Sequence, residues 1–572
     1  MIPYRLISAI SFGGAYILSS GRIPQWPATS FFPTFAAMWG IQAIVWAAWI
    51  VVLYPKFFSP LRDLPEPSGN SWFMGQFHKI AALPSGVPMR EWYVCSPSWL
   101  PACQLTVPRI NSIPNDGLIR YLGTFNEERL LITSPKALAE VLVTKNYDFV
   151  KPSMFRFSLG RILGFGILLA EGDEHKVQRR NLLPAFAFRH IKELYPVFWA
   201  KSREGVQAMT EQILQDAAQK PESEKRTGVF EAGNWASRVT LDIIGLAGLG
   251  RDFEAVKNPK NPLTEAYARI FKPSRQAMFL QMLGMVLSPR IAALLPVKRN
   301  EDIETSARMI RAECARLIKE KKEKLENNKL NDVDILSVAM ESGGFSDENL
   351  IDQLMTFLAA GHETTASAMT WAVYLLAKYP EVQARLRAEV REHLPPLDGD
   401  DDNSAVSSLD IDRMPYLNAV CNEVLRYFSP VPLTLRIAAQ DTSILGRFVP
   451  KGTRVMLVPW AINKSQAMWG DDALSFDPDR WIPKSEADKH AASGGATSNY
   501  AFLTFLHGPR SCIGMSFAKA EFACLLATWA GRFQMELNNP EEMDETKIEI
   551  KGGITSRPSN GMYIKATVLE GW

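Results

Sequence analysis

A cysteine, an acid–threonine pair and a set of arginines carry the chemistry legible in this sequence. Cys512 stands in FLHGPRSCIG, residues 505–514, between a Gly-Pro turn and the helical run MSFAKAEFACLLATWAG. The first turn of a helix carries partial positive charge and unpaired amides. That setting favours a thiolate, which is both a nucleophile and a metal ligand. As the axial ligand of a haem iron, a thiolate pushes electron density that favours O–O cleavage. Arg510 offers a cation for a haem carboxylate, and Gly508 and Gly514 permit close backbone approach to a flat macrocycle.

Glu363 and Thr364 lie in AAGHETTAS, residues 359–367. The surrounding run is apolar nearly all round, with Leu354, Phe357, Leu358, Met369, Trp371 and Leu375, so it predicts a helix crossing the interior. A buried acid there is costly unless it has a partner or a task. Gly361 costs about 1 kcal/mol relative to Ala. Thr364 can return its hydroxyl to a carbonyl one turn back and open the helix locally. Glu423 and Arg426, in NEVLRY, share one helix face, and Arg480 follows in FDPDRW. His175 and Arg179 sit one turn apart in GDEHKVQRRNLLPAF, residues 172–186, and Arg436 follows PVPLTL.

Taken together, these strings resemble the cytochrome P450 superfamily, in family order. The 505–514 string is similar to its haem-binding loop: Phe505, Gly508, Arg510, Cys512 and Gly514 match, and Leu506 departs from the small or polar residue usual there. The resemblance implies haem b with Cys512 as axial iron ligand. It implies that Thr364 and Glu363 assist oxygen activation and proton delivery, and that Glu423, Arg426 and Arg480 form a buried structural lock. It implies haem-carboxylate contacts from Arg510, Arg436, Arg179 and His175, the last standing where the family has Trp. It covers about residues 60–572, matching only in general character before 170.

The elements that must hold these residues are mostly helical. Apolar periodicity predicts helices at 175–190, 191–215, 233–250, 302–326, 347–378, 380–394 and 414–428. Extended segments are expected at 118–123, 129–133, 453–459 and 561–568. Residues 398–408 and 485–499 read as surface inserts. The fold class expected is mainly α with small β-sheets, a P450 fold with an N-terminal transmembrane anchor. Residues 1–60 are expected to form anchor and hinge, and 61–572 one catalytic domain.

Phe35 to Tyr54 is uncharged and long enough to cross a bilayer. Lys56 and Arg62 follow it, so the bulk of the chain is expected on the cytosolic side, at the endoplasmic reticulum. Residues 7–20 are a possible second segment. Pro65 and Pro67 make a stiff hinge.

Lys+Arg 63 against Asp+Glu 61 argues against a nucleic-acid binder. Six cysteines without a CxxC pair argue against a disulfide scaffold or a structural zinc site. The sequence has no GxGxxG unit, so electrons are expected from a separate NADPH-dependent P450 reductase. The expected reaction is insertion of one oxygen atom from dioxygen into a hydrophobic small molecule such as a terpenoid or polyketide, with a role in secondary metabolism. The alternative is a haem-thiolate isomerase or dehydratase acting without a reductase; retention of Glu363 and Thr364 counts against it. Substrate contacts are expected at 150–170, Phe357–Thr365, Val431–Thr434 and Ile554–Thr555.

Overall fold

The computed structural model describes residues 4–20, 30–83, 86–93, 113–271, 275–286, 288–327, 332–397, 406–483, 493–551 and 553–572. Its axis is the helix Asp347–Lys378, 32 residues long and buried along most of its length. Ser346 caps its first turn by accepting from the Asn349 amide, which satisfies one of the orphan donors there. Asp347 and Glu348 oppose the positive end of the dipole, and Lys378 the negative end. Trp371 stacks on Phe428 with ring centroids 4.0 Å apart. The central helix is packed by Ala232–Ile243 and its continuation Ile244–Gly248, by Lys298–Glu326, and by Met515–Arg532. Gly361 is required here: a Cβ would lie 2.8 Å from Ile244 Cγ1. The conformational cost of a mid-helix glycine is therefore the condition for close helix contact.

The helices expected from periodicity are present at Gly172–Leu182, Tyr195–Ala217, Ala232–Ile243, Lys298–Glu326, Asp347–Lys378, Pro380–His393 and Pro415–Tyr427. Among the described residues a five-stranded and a three-stranded sheet flank them, with two further two-stranded sheets. A five-stranded sheet runs Leu118–Leu122, Glu128–Ile132, Arg454–Leu457, Thr434–Ala438, Phe149–Val150, with one parallel pair, Arg129 opposite Arg454. A three-stranded sheet runs Thr227–Glu231, Tyr563–Val568, Phe533–Leu537. The expected strand at 453–459 stops at Leu457, because Pro459 opens a helical turn. The strands at 227–231, 434–438 and 533–537 carried no clear sequence signal; each is short and edge or half-buried. Of the expected inserts, residues 398–405 and 484–492 lie outside the described residues.

At the N-terminus, Phe31–Ala48 continues as a wider helix, Trp49–Phe58, so the apolar helix spans 28 residues rather than the expected 35–54. It is long and apolar enough to cross a membrane, and none of its most apolar stretch is buried. The 7–20 segment is also helical, Tyr4–Ser19, and lies against it: Trp39 Nε1 donates to Ser8 Oγ at 3.2 Å and Gln42 Nε2 to Ser11 Oγ at 3.0 Å. The long helix ends on the body, where Asn126 Nδ2 donates to the Val51 carbonyl at 2.8 Å.

Candidate active site

The cysteine loop is closed by its own backbone. The Cys512 amide donates to the Phe505 carbonyl at 2.9 Å and Ser511 to Gly508 at 3.0 Å, before the helix Met515–Arg532 begins at Gly514. Gly508 has φ +76°, and a Cβ there would lie 2.2 Å from the Leu142 carbonyl oxygen. Leu506, where the string departs from the family pattern, has φ +57°. A left-handed leucine costs roughly 1–2 kcal/mol, so the loop stores strain beside Cys512.

Cys512 is exposed, whereas the other described cysteines, Cys314, Cys421 and Cys524, are buried. Yet desolvation raises the Cys512 pKa, offset by the Gly514 amide and by Arg179. The Cys512 sulfur is thus open although protein surrounds it. The cation acting on the thiol is Arg179. Arg179 Nη1 donates to the Ser511 carbonyl at 2.7 Å and Nη2 to Ser511 Oγ at 3.2 Å.

Arg510 turns away, donating to the Phe149 carbonyl at 2.9 Å and pairing with Glu171. It joins a cluster of cations gathered from four parts of the chain. Lys151, Arg436 and Arg510 surround His175 and Glu171. Burial, then Arg436 and Arg510, push the Lys151 pKa well below its ordinary value. Burial, then Arg510, bring Arg436 down to about 10. His175 falls to about 4, through burial first and then Arg510, Lys151 and Arg179. It is buried, and its Nδ1 lies 3.3 Å from the Tyr147 hydroxyl. Among the described residues, Glu171 is the acid that offsets these groups, so the cluster there is short of negative charge. A bound group with two carboxylates fits that deficit, and the haem implied by the sequence has two. Lys151 and Glu171 were missed in the sequence; neither has a motif, and only the fold brings them to Arg510.

On the central helix, Ala360 is exposed and Gly361, Glu363 and Thr364 are half-buried, although flanking Ala359, His362 and Thr365 are buried. Mid-helix exposure in an enclosed helix marks a cavity wall. Thr364 Oγ1 donates to the Ala360 carbonyl at 2.8 Å, the local return expected of it. Phe186 links this region to the cysteine loop: its ring is 5.4 Å from Phe357, and it is the nearest neighbour of the Gly514 Cβ position at 3.8 Å. Glu363 is held by Arg557, whose Nη2 stands 3.0 Å from Oε2 and 3.0 Å from the Glu363 carbonyl. Arg557 also escaped the sequence reading, because it lies in a two-residue strand far along the chain.

The fold brings Glu423, Arg426 and Arg480 together. Glu423 and Arg426 are fully buried. Arg426 Nε and Nη2 donate to the two Glu423 oxygens at 2.8 and 2.7 Å. Arg480 Nε donates to Oε1 at 3.2 Å, Trp481 Nε1 to Oε2 at 3.0 Å, and the Asp477 amide to Oε1 at 2.9 Å. Arg426 also donates to the carbonyls of Asn463, Ala473 and Ser475 at 2.9, 2.7 and 2.6 Å. One carboxylate thus ties the helix to the segment that precedes the cysteine loop.

The family model described as Cytochrome P450 matches residues 119–564. The chain is 46% identical over 542 residues to the cytochrome P450 monooxygenase sphH of Aspergillus fumigatus, covering 94% of each chain. It is 43% identical to the cytochrome P450 monooxygenase FUM15 of Gibberella moniliformis, over 94% of this chain and 93% of that one. It is 41% identical to the cytochrome P450 monooxygenase ALT8 of Alternaria alternata, over 92% and 93%.

Proposed function

The chain belongs to the cytochrome P450 family, and from that premise we propose a membrane-anchored monooxygenase acting on a hydrophobic small molecule. The family uses haem b with a cysteine thiolate ligand and takes electrons from a reductase. When bound, haem supplies the activation of dioxygen. Cys512 would hold its iron, and Arg436, Arg510, Lys151 and His175 would meet its carboxylates. Phe505 and Gly514 frame the loop, Phe505 through the carbonyl that fixes the Cys512 amide.

The observation that carries the reading is the partly exposed stretch of the central helix bearing Glu363 and Thr364. Thr364 offers a hydroxyl on the cavity wall. Glu363 holds a proton-exchanging carboxyl beside it, anchored by Arg557. An isomerase or dehydratase working on a pre-oxidised substrate has no use for that pair. Residues that would line the substrate side include Val431, Leu433, Ile554 and Thr555, all at least partly exposed. Their largely apolar character suits a terpenoid, polyketide or fatty-acid derivative, in secondary metabolism.

Residues 1–60 serve as anchor and hinge, with 61–572 a single catalytic domain on the cytosolic side of the endoplasmic reticulum. An NADPH-dependent P450 reductase is the electron donor. The test is reconstitution of the full chain with a fungal reductase against a panel of terpenoids and polyketides under labelled dioxygen. One labelled oxygen atom in a product, with NADPH consumed in its presence, is the expected result. Turnover of a hydroperoxide or other pre-oxidised compound without reductase would favour the isomerase reading.

A further inference from the structure

The helix Met515–Arg532, which follows the cysteine loop, carries a carboxyl that the site described above does not use. Glu521 is fully buried. Among the described residues, neither of its carboxyl oxygens has a full hydrogen-bond partner. The group that acts on it is Thr365 of the central helix, too loosely placed to satisfy it. Thr365 is itself buried and adjoins Thr364. Its Oγ1 is 3.4 Å from the Gly361 carbonyl, at the limit of hydrogen-bond range, whereas the Thr364 hydroxyl makes the equivalent bond at 2.8 Å.

An ionised Glu521 would be a buried charge with no cation beside it, which is several kcal/mol unfavourable. The titratable group coupled to it is Cys524 on its own helix; burial raises that thiol, so it adds no charge. Burial likewise raises the Glu521 pKa well above the carboxylate range, with Thr365 the opposing influence. A neutral carboxylic acid has one O–H to donate, and a threonine hydroxyl can accept that bond while donating its own. A carboxylate can only accept; it would draw the Thr365 hydroxyl to itself and leave the Gly361 carbonyl without that bond.

We propose that Glu521 is a positioning residue for the acid–threonine pair: a neutral carboxylic acid against the central helix that donates its O–H to Thr365 Oγ1. The Thr365 hydroxyl then donates to the Gly361 carbonyl and fixes the turn that carries Glu363 and Thr364. What the turn is for rests on the monooxygenase reading; the protonation state and the bond do not.

The experiment is infrared spectroscopy of the full-length, haem-loaded protein with glutamate isotopically labelled at the carboxyl carbon. A label-sensitive protonated-carboxyl band should persist at neutral and mildly alkaline pH, shift in heavy water, and vanish in Glu521→Gln. In Thr365→Val the band should remain and move to higher frequency, because its acceptor is gone. The CO stretch of the ferrous–CO complex reads the consequence on the central helix. It should stay near the unsubstituted value in Glu521→Gln, which keeps a neutral donor, and shift or broaden in Glu521→Leu. No such band, or one indifferent to Thr365→Val, overturns the proposal. A CO stretch unmoved in Glu521→Leu removes the positioning role. Should Glu521→Leu fail to fold, Thr365→Val decides on the same two readouts. A ferrous–CO complex without a thiolate signature would defeat the functional reading while the carboxyl band still decided this one.

Discussion

Glu363 and Arg557 are joined twice, through the carboxylate and through the backbone: one guanidinium nitrogen stands 3.0 Å from Glu363 Oε2 and 3.0 Å from the Glu363 carbonyl oxygen. The second arginine arm, Nη1, donates to Ser237 Oγ at 3.2 Å. The neighbouring Ser556 carbonyl accepts from Ser367 Oγ at 2.6 Å and Trp371 Nε1 at 3.0 Å. The strand Arg557–Pro558 is thereby clamped along the very helix that bears the acid.

Arg557→Ala should release the Glu363 side chain with little effect on folding, since both side chains are partly exposed and such a pair contributes about 0–1 kcal/mol. More NADPH should end as peroxide and less as product, several-fold in ratio, in a reconstituted assay that measures both. Arg557→Lys should recover part of the loss. An unchanged peroxide fraction would show that Glu363 needs no anchor.

Glu423→Gln keeps the size of the side chain and removes the charge that Arg426 and Arg480 share. Breaking a buried ionic network of this kind costs about 3–5 kcal/mol. Low haem content, a lowered denaturant midpoint and an unchanged denaturant slope are expected for the material that does fold. Stability equal to the unsubstituted chain would mean that the bonds Arg426 donates to the Asn463, Ala473 and Ser475 carbonyls suffice.

His175 gives a pH dependence with a definite sign. Its folded pKa is lowered to about 4, by burial first and then by Arg510, Lys151 and Arg179, against an ordinary value of 6.5. The folded chain therefore binds fewer protons there than the unfolded chain. Its contribution is fully present above pH 6.5 and is lost as pH falls towards about 4. His175→Gln should flatten the acid side of the stability profile in that window, measured by denaturant unfolding at a series of pH values. Bound haem should also flatten it, because two carboxylates beside the cluster favour the protonated histidine. An identical slope in His175→Gln would assign the acid sensitivity to other groups.

Much of this was legible because motifs report local demands. The cysteine string records a turn that only glycine permits at 508 and a backbone closure between Phe505 and Cys512. Glu423 and Arg426 record a helix face, and the central helix announces itself by apolar residues all round. What stayed hidden is long-range. Lys151 and Glu171 reach Arg510 only through tertiary folding, and Arg557 reaches Glu363 from a strand two residues long. Glu521 looked like one more polar position in a helical run; its complete burial follows from packing against the central helix. Arg179, one turn from His175 in the sequence, reaches the cysteine loop only through the fold, while Arg510 pairs with Glu171.

The central claim is that Cys512 ligates haem iron. The direct measurement is the ferrous–CO difference spectrum of the full chain and of Cys512→His. The unsubstituted chain should show the red-shifted Soret band of thiolate-ligated haem, and Cys524→Ala should retain it, since Cys524 is buried within the following helix. Cys512→His should lose that band together with monooxygenase turnover, because a neutral imidazole pushes less electron density onto the iron. A red-shifted band that survives in Cys512→His would put the ligand elsewhere and contradict the account at its centre.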